Sequence, residues 1–242
     1  MSLISVVVPA YNSEKTIADV VGRIKTLDIE GHEIELIVVD DCSKDKTWAK
    51  LQALAGIIAI RHPRNTGKGG ALRTGFQRAR GEFLVMEDDD LEYDPREIPV
   101  VLKPLLERRA DVVFGSRQLN PTNTYINPFY HLGGLALNMV IESVLHRRIT
   151  DSISGTKAFT RRVYDHIAPI ESSGFGVETE IAAKIVRAGF TLREVPIGYR
   201  PRTHAEGKNI HWYHAYSLLA SLIKHAKRAS KLKDSSDSSI LR

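Results

Sequence analysis

The sequence contains a single cysteine, Cys42, and no uninterrupted stretch of 18 apolar residues. One cysteine excludes a disulfide within the chain and favours a reducing compartment. Because Cys42 lies in a polar loop beside two aspartates, we interpret it as a small loop residue rather than a nucleophile. The missing apolar stretch predicts that no helix spans a membrane. The opening residues, MSLISVVVPAYN, are too short for a secretory signal and lead into a polar motif, so we expect no signal peptide.

Most of the chain also lacks net charge. Residues 1–201 carry 26 basic and 26 acidic residues, whereas residues 202–242 carry eight basic and three acidic ones, so the whole excess of +5 lies at the C-terminal end. A basic protein can bind nucleic acid. Here the basic residues accompany apolar residues at helical spacing, which favours an anionic membrane surface. A solvated helix face is the simpler alternative.

Short β-branched runs alternate with helical patterns throughout residues 1–117. The run LISVVVPAYN predicts a buried strand, and SEKTIADVVGRIKTL predicts a helix with Ser13 as its N-cap. The alternation continues through EIELIVVDD, IIAIRH, GEFLVM and DVVFGSR, which predict four more strands. This pattern predicts an α/β fold in which helices flank a parallel sheet and ligands bind at the carboxyl ends of the strands.

The pattern becomes less regular after residue 117. Residues 118–210 mix apolar helices, short strands and a basic loop, so we expect them to complete a single domain of residues 1–210. Residues 211–230 predict an amphipathic interfacial helix, and the polar residues 231–242 predict a disordered tail. The predicted apolar face of the helix comprises Trp212, Tyr216, Leu219, Leu222, Ile223 and Ala226, and its predicted polar face comprises His214, Ser217, Ser221, Lys224 and Arg228.

A block of acids, EDDDLEYD, directly follows the fourth predicted strand. Like charges this close together repel one another, and burying any of them is costly. The block is therefore either a solvated loop or the seat of a cation.

Four other polar motifs fall at predicted strand ends. They are PAYNSE, VVDDCSKDKT with Asp40 and Asp41, RNTGKGGA, and GSR ending at Arg117. Each signal is weak alone, since an acid pair after a strand can simply cap the next helix. The GKGG stretch resembles a phosphate loop but lacks the spacing and the Ser or Thr of a Walker motif.

Taken in order, these segments resemble glycosyltransferase family 2, which has the GT-A fold. The segments VVVPAYNSEKTI, IVVDDCSKDKT, NTGKGGALRTG, DDDLEYDP, FGSR and DSISGTKAFTRR carry the resemblance over about residues 3–210. Within the family, the chain looks most similar to the dolichol-phosphate-mannose synthase and polyprenyl-phosphate glycosyltransferase branch. The resemblance implies a mixed, mostly parallel sheet flanked by helices. It also implies a GDP- or UDP-hexose donor, a polyprenyl-phosphate acceptor, and Mg²⁺ or Mn²⁺ as cofactor.

The resemblance gives the acidic block a role. Asp88, Asp89 and Asp90 match the family's Asp-x-Asp motif, whose carboxylates hold a divalent cation that bridges the two donor phosphates. Hard cations prefer oxygen ligands, which would relieve the repulsion. Asp88 and Asp90 are the aligned acids, Asp89 fills the variable place, and Glu92 is a third candidate metal ligand.

The other strand-end motifs match the family's donor site. Asp40 or Asp41 would accept hydrogen bonds from a base or a ribose. Lys68 and the backbone N–H groups around Gly67–Gly70 would face phosphate, and Arg117 would bind phosphate with two parallel hydrogen bonds. The donor-binding residues that the resemblance implies are Pro9, Tyr11, Glu14, Asp40, Asp41, Lys68, Gly69, Asp89, Arg202 and Lys208.

The second half matches the family's acceptor side through TDSISGTKAF and GFGVETEI. Its acids are Asp151, Glu178 and Glu180; the simpler alternatives are an N-cap for Asp151 and a helix surface for Glu180. Basic residues follow in one loop, where Gly207 precedes Lys208 although many relatives have Ser there. The basic residues of this loop are Arg200, Arg202 and Lys208.

The nature of the acceptor decides the expected chemistry. A lipid phosphate is already an anion, so it would attack the anomeric carbon without a strong base, whereas a hydroxyl would need Asp151 or Glu178 as base. Single displacement would invert the anomeric carbon, as the resemblance implies. The residues with expected catalytic roles are Asp88, Asp90, Arg117, Asp151 and Glu178.

Three functions remain open at this point. The first is a polyprenyl-phosphate glycosyltransferase bound peripherally to the cytoplasmic face of a membrane. The second is a soluble GT-A transferase that acts on a sugar hydroxyl of a glycan or glycolipid. The third is a module that binds nucleic acid or membranes, which the strand-end acids disfavour because they repel phosphate. A homo-oligomer or a membrane-spanning partner could also use the apolar helix face.

Overall fold

The computed structural model describes residues 2–125, 128–202 and 214–227. Within these ranges, seven strands form one sheet in the order β3-β2-β1-β4-β6-β5-β7. The strands are β1 Ser2–Ala10, β2 His32–Asp40, β3 Ile58–Arg61, β4 Phe83–Met86, β5 Val112–Ser116, β6 Lys157–Thr160 and β7 Leu192–Pro196. The α-helices are α1 Ile17–Lys25, α2 Thr47–Gln52, α3 Lys68–Arg78, α4 Ile98–Leu106, α5 Pro128–Leu145, α6 Arg161–Ile167, α7 Val177–Ala188 and α8 His214–Lys227.

The sheet is parallel except at β6. That strand runs antiparallel to both of its neighbours, and its first residue, Lys157, lies opposite Met86 of β4 and Phe114 of β5. The expected mixed, mostly parallel sheet is therefore confirmed. The consequence for function is that the strand following the acceptor-side motif lies in the middle of the sheet, directly beside the acidic block.

Hydrophobic clusters cover both faces of the sheet. One cluster packs Leu72 and Phe76 of α3 and Ile181 of α7 over Val7 of β1, and the other packs α1 and α4 over the opposite face. Strands buried on both sides consist of continuous apolar runs, which explains why VVV and LIVV signal β1 and β2 so clearly. The polar side chains are thereby left to the strand ends.

The sequence predicted Ser13 as the N-cap of the first helix, but Ser13 does not cap it. Helix α1 begins at Ile17 after Thr16, and the Ser13 hydroxyl instead donates a hydrogen bond to the Asp89 carboxylate. The loop after β1 is thus tied to the acidic block rather than to its own helix.

Helix α8 packs against α7 and α5. Leu218 and Leu222 face the interior, whereas Tyr216 and Ile223 are exposed. The predicted division into faces is therefore partly wrong: Ser221, expected on the polar face, is buried together with His225. Two residues of the predicted faces, Trp212 and Arg228, lie outside the described residues. Over the part of the chain that the structure describes, no helix is both long and apolar enough to cross a bilayer.

Candidate active site

Three consecutive acids leave the end of β4 in different directions. The Asp88 carboxylate lies 2.6 Å from Lys68 Nζ, and the Asp90 carboxylate lies 2.6 Å from Arg202 Nη2. Asp89, between them, accepts a hydrogen bond of 3.1 Å from the backbone N–H of Tyr11 and one from the Ser13 hydroxyl. The two aligned acids thus face cations, while the acid in the variable place holds the loop after β1.

Lys68 connects Asp88 to the acceptor half. Its ammonium, at the start of α3, also lies 2.7 Å from Glu178 Oε1 in the first turn of α7. Glu178 Oε2 is bonded by Lys157 of β6. Asp88, Lys68, Glu178 and Lys157 therefore form one chain of alternating charges that links β4, α3, α7 and β6.

Lys157 is a residue of the site that no sequence motif singled out. Its signal is a lysine in the stretch GTKAFT, where the following residues are those of a buried strand. A charged residue there requires a partner, because an unpaired buried charge is very costly. Sequence spacing alone cannot show that this partner lies 21 residues away on α7.

Burial and neighbouring charges shift the pKa values of this cluster. Burial alone would lower the pKa of Lys68, but the attraction of Asp88 and Glu178 outweighs it and raises the pKa above the ordinary value. Burial, reinforced by Asp88, raises the pKa of Asp90 to about 7, although Arg202 opposes the shift. Burial also raises the pKa of Glu87 well above its ordinary value. Shifts of this kind are typical of functional sites.

Glu92 lies beside Asp90, and both carboxylates contact the Arg202 guanidinium. Its carboxylate accepts a 3.2 Å hydrogen bond from the Arg202 N–H, and its carbonyl accepts one from the exposed Arg200. In residues 2–125, 128–202 and 214–227, no three His, Cys, Asp or Glu side chains gather around a common point. That Glu92 is a third metal ligand stays a prediction; in the structure its carboxylate contacts Arg202 of the basic loop. Lys208 of this loop lies outside the described residues.

Asp88 and Asp90 nevertheless fit a hard divalent cation. Both offer carboxylate oxygens at the carboxyl end of a strand, and both are about one fifth exposed. Each now faces a side-chain cation, Lys68 or Arg202, which shows that this position attracts positive charge. Two carboxylates are a sufficient protein contribution for Mg²⁺, which is usually bound by one or two carboxylates together with substrate phosphates and waters.

Asp41 organises the glycine-rich loop. Its carboxylate accepts hydrogen bonds from the backbone N–H groups of Thr66 and Gly67, at 2.8 and 2.6 Å, and from His62 at 2.7 Å. Gly67 has φ of +78°, a conformation that a side chain would strain. Asp41 therefore shapes the loop.

The expectation that the glycine N–H groups of this loop face phosphate is wrong for two of them. The Gly67 N–H is bonded to Asp41, and the Gly70 N–H donates to the Ser173 carbonyl at 3.1 Å. Gly69 is required for a different reason, since a Cβ there would collide with the Ser172 carbonyl. The glycines let the segment before α7 pack closely on the start of α3, and the Lys68 side chain and Gly69 stay predicted phosphate contacts.

Of the two candidate base or ribose contacts, Asp40 accepts fewer hydrogen bonds than Asp41. It is fully buried, and its Oδ1 accepts a 3.2 Å hydrogen bond from the Ser43 N–H. Its Oδ2 lies 3.1 Å from Arg61 Nε but accepts no hydrogen bond from a described residue. A buried carboxylate oxygen with spare accepting capacity needs a partner, and a nucleoside N–H or hydroxyl would provide one.

The remaining expected nucleoside residues lie at the end of β1 and in the loop after it. Pro9 is buried within β1 opposite Val39, and Tyr11 is exposed. The Glu14 carboxylate accepts a 2.9 Å hydrogen bond from the Lys46 N–H, so its side chain joins the loops after β1 and β2. The structure thus places Pro9 and Tyr11 near Asp40 through the strand pairing and gives Glu14 a supporting position.

Arg117 and Asp151 form a buried pair with two parallel hydrogen bonds. Arg117 Nε and Nη2 donate to the two carboxylate oxygens at 2.7 and 2.8 Å, and the guanidinium also lies over the rings of Tyr93 and Tyr199. The Asp151 N–H is held in turn by Glu194 at 2.9 Å. Asp151 is therefore not a helix N-cap, and Arg117 is positioned by an acid that the sequence placed on the acceptor side.

Glu180 has a structural position. It is fully buried and accepts hydrogen bonds of 2.7 Å from the backbone N–H groups of Glu171 and Ser172, while Lys184 pairs with it at 2.7 Å. The simpler reading of Glu180 as helix surface is therefore wrong. Its contacts fix the segment that covers Gly69, so it supports the site without facing it.

Comparison with known proteins agrees with this architecture. A family model described as glycosyl transferase family 2 matches residues 5–168. The chain belongs to this family. It is accordingly an enzyme of glycosyl transfer.

Similar sequences occur among archaeal proteins. The chain is 33% identical to an uncharacterized protein, MJ1222, of Methanocaldococcus jannaschii, over 86% of each chain. It is 29% identical to a dolichol-phosphate mannosyltransferase of Pyrococcus furiosus, over 89% of this chain but only 63% of that protein. It is 28% identical to a UDP-N-acetylglucosamine–dolichyl-phosphate N-acetylglucosaminyltransferase of Methanococcus voltae, over 86% of this chain and 90% of that one.

A solved structure shares the fold. Glucosyl-3-phosphoglycerate synthase from Mycobacterium tuberculosis, in complex with UDP, superimposes with a TM-score of 0.71 at 23% identity and covers 93% of this chain and 80% of its own. At this identity the likeness supports the GT-A fold of the chain and nothing finer.

Proposed function

We propose that this glycosyltransferase moves a hexose from a GDP-mannose or UDP-glucose type of donor to a polyprenyl or dolichyl phosphate, with inversion and with a divalent metal. The observation that carries the proposal is that both candidate bases of the acceptor half are already occupied by cations. A site without a free base suits an acceptor that is itself an anion.

Asp151 is the first of these candidate bases. Both of its carboxylate oxygens accept hydrogen bonds from Arg117, and one of them also accepts from the Arg117 backbone N–H at 3.0 Å. A general base must lie within hydrogen-bond reach of the proton it takes, and both Asp151 oxygens are engaged by Arg117 instead.

Glu178 is the second candidate base, and it is equally engaged. Lys68 pairs with one oxygen and Lys157 with the other, and the side chain is almost entirely buried. Neither Glu178 oxygen is free to contact an acceptor hydroxyl, as a general base must.

A phosphate monoester needs no such base. Its second pKa is about 6, so at neutral pH its oxygen is already charged. Basic side chains would screen the repulsion between this acceptor and the anionic donor. Arg202, which is one quarter exposed beside the acidic pair, is a described cation placed for this task.

On the donor side, the present ion pairs of Asp88 with Lys68 and of Asp90 with Arg202 would be replaced by a bound metal and the donor diphosphate. Asp88 and Asp90 would hold the metal, which when bound stabilises the negative charge that develops on the leaving nucleoside diphosphate. Lys68 and Arg202, which those acids now hold, would then be free to bind phosphate oxygens. Asp40, whose Oδ2 faces Arg61 but accepts no hydrogen bond from a described residue, would bind the nucleoside.

The relatives support this reading. Two of them are named for dolichyl-phosphate substrates, and two Pseudomonas aeruginosa relatives, each 29% identical, are named undecaprenyl-phosphate 4-deoxy-4-formamido-L-arabinose transferases. A complex of the structural neighbour contains Mn²⁺ and UDP-glucose. Since the match spans 62 to 63% of several of these proteins, their full activities remain proposals for this chain.

A lipid acceptor requires contact with a membrane. Exposed apolar side chains project from α5 and α8, among them Leu132, Met139 and Tyr216 at 60, 64 and 79% exposure. The net positive charge of the chain lies in residues 202–242, which include α8 but not α5, and basic residues near anionic lipid contribute about 1 kcal/mol each. We infer peripheral binding to an anionic, cytoplasmic membrane face. Docking to a second copy or to a membrane-spanning partner is the competing use of this surface.

The test begins with the donor. GDP- and UDP-sugars are screened for thermal stabilisation of the chain with Mn²⁺, and the best donor is then offered with a polyprenyl phosphate or with a free sugar acceptor. Transfer to the lipid phosphate alone is the expected result. Transfer to the sugar hydroxyl would identify a soluble GT-A transferase instead, and the absence of any donor binding or hydrolysis would contradict both readings.

A further inference from the structure

Lys157 is a fully buried lysine in the middle of the sheet. It begins β6, between Met86 of β4 and Phe114 of β5, and its ammonium lies 5.0 Å from the centre of the Phe114 ring. Burying an ammonium group is costly unless it is paired and hydrogen-bonded. A hydrophobic side chain would fill the same space without that cost, so the charge itself calls for an explanation.

The Lys157 ammonium makes two polar contacts. It donates to the Ser154 carbonyl and to Glu178. Neither contact is to Asp88 or Asp90. Lys157 therefore acts on the acidic pair through Glu178, whose other oxygen pairs with Lys68.

Glu178 is thus shared between two lysines that differ in access. Lys157 is completely enclosed, whereas Lys68 is 14% exposed and also faces Asp88. If a metal and a diphosphate take the place of the Lys68–Asp88 pair, Lys68 must leave Asp88 and reach a phosphate oxygen. A Glu178 already neutralised by Lys157 holds Lys68 less strongly than an unneutralised one.

We propose that Lys157 is a positioning residue, which neutralises Glu178 so that Lys68 remains free to exchange Asp88 for the donor diphosphate. This inference rests on the proposed donor site, since it concerns how that site changes partners. Lys157 of β6 thereby acts on the charge of the donor site without contacting Asp88 or Asp90.

Replacement of Lys157 should change the affinity for a cation and the affinity for an anion in opposite directions. Replacing Lys157 by Met leaves an excess negative charge on Glu178, so the site should attract Mn²⁺ more strongly and nucleoside diphosphates more weakly. An effect of about five- to tenfold in each direction is expected for one charge acting through a partly screened interior. A role in packing alone would weaken the binding of both ligands.

The experiment measures binding without any transfer reaction. Mn²⁺ affinity is measured by calorimetry in the absence of nucleotide, and UDP and GDP affinities are measured at a fixed, saturating Mn²⁺ concentration. The variants are Lys157→Met, Lys157→Gln, and Lys157→Met combined with Glu178→Gln. Lys157→Gln keeps a hydrogen-bond donor for the Ser154 carbonyl and is used if Lys157→Met does not fold. The double variant removes the two charges together, so it should restore both affinities to near the original values.

Lys184→Met is the matched control. Lys184 pairs with Glu180, the next acid on the same helix, and that acid does not contact Lys68. This variant should lose stability but bind Mn²⁺ and nucleotide as the original chain does. Thermal unfolding of each variant shows that the folded protein is being measured.

The outcomes separate this inference from the proposed function. An original chain that binds Mn²⁺ and a nucleotide, with folded Lys157 variants that bind both unchanged or both more weakly, overturns the inference alone. A chain that binds neither ligand overturns the proposed function and the inference with it. Opposite shifts that the double variant reverses support the inference even if no lipid acceptor is ever found.

Discussion

The acids of the two halves of the chain have different surroundings. In the donor half, Asp88 and Asp90 are about one fifth exposed and their cation partners, Lys68 and Arg202, are partly exposed as well. In the acceptor half, Asp151, Glu178 and Glu180 are nearly or fully buried and have partners on every side. Acids that are open on one side can exchange their partner for a ligand, whereas enclosed acids hold the structure.

The largest effect should come from the exposed pair. Asp88→Asn and Asp90→Asn should each reduce transfer by about 10²-fold or more, because each removes a charge that would hold the metal at the leaving diphosphate. A transfer assay with and without excess EDTA checks this. Asp94→Asn is the matched control, since Asp94 belongs to the same acidic block but pairs with Arg96 and Arg23. Full activity in EDTA would remove the metal from the mechanism.

The enclosed acids should matter for stability instead. Glu180→Gln should lower the free energy of unfolding by about 3 kcal/mol, because it leaves Lys184 without its partner and weakens the bonds to the segment over α3. Urea denaturation measures this cost, with Asp88→Asn as the comparison that should cost far less. Equal losses of unfolding free energy in Glu180→Gln and Asp88→Asn would contradict the proposed structural role of the enclosed acids.

Asp40 and Asp41 allow the same comparison within the donor half. Asp40→Ala should weaken nucleotide binding by about 1.5–3 kcal/mol, since a hydrogen bond to a charged group is lost. Asp41→Ala should instead lower stability, because its carboxylate holds the backbone of Thr66 and Gly67. Calorimetry with UDP and GDP, paired with thermal unfolding, distinguishes the two. Unchanged nucleotide affinity in both variants would exclude these acids from the nucleoside site.

His225 should make the acceptor half sensitive to acid. Burial lowers the pKa of His225 below its ordinary value of 6.5, despite the opposing attraction of Glu180; Glu171, Lys184 and Lys224 are the other charged groups that act on it. The unfolded chain therefore binds this proton more readily, so stability should fall as the pH drops below 6.5, by at most about 1.4 kcal/mol per pH unit.

The pH dependence is measured by urea denaturation between pH 7.5 and 5.5. His225→Gln removes the titrating group, so its stability should decline less over this range. Parallel declines in the two proteins would show that other groups cause the loss.

The smallest effect concerns the membrane surface. Replacing both Tyr216 and Ile223 by Ser should reduce binding to anionic liposomes about two- to fivefold at low salt, since both side chains are exposed on α8 and their loss removes apolar area. Truncation of the helix is a poorer test, because Leu218 and Leu222 belong to the core. Co-sedimentation at two salt concentrations provides the measurement, and unaltered binding would favour a protein partner for this surface.

Much of the donor half could be predicted because its signals are local. Each β-branched run became a strand, and the acids of EDDD lie directly after β4. Predictions about side-chain partners were less successful. The Lys157–Glu178 pair carried no sequence signal, and the Gly67 and Gly70 N–H groups proved to be occupied, because their partners come from other segments of the chain.

The sequence by itself determined the alternation of strands and helices, the order of the family motifs and the placement of acids at strand ends. These features follow from periodicity and from the cost of burying charge. Only the tertiary structure decided which cation faces which acid. Pairs such as Lys68–Glu178 and Asp90–Arg202 join residues from different halves of the sequence. The tertiary structure also decided that Lys157 lies behind the site, since strand order brings β6 between β4 and β5 and no sequence spacing records that neighbourhood.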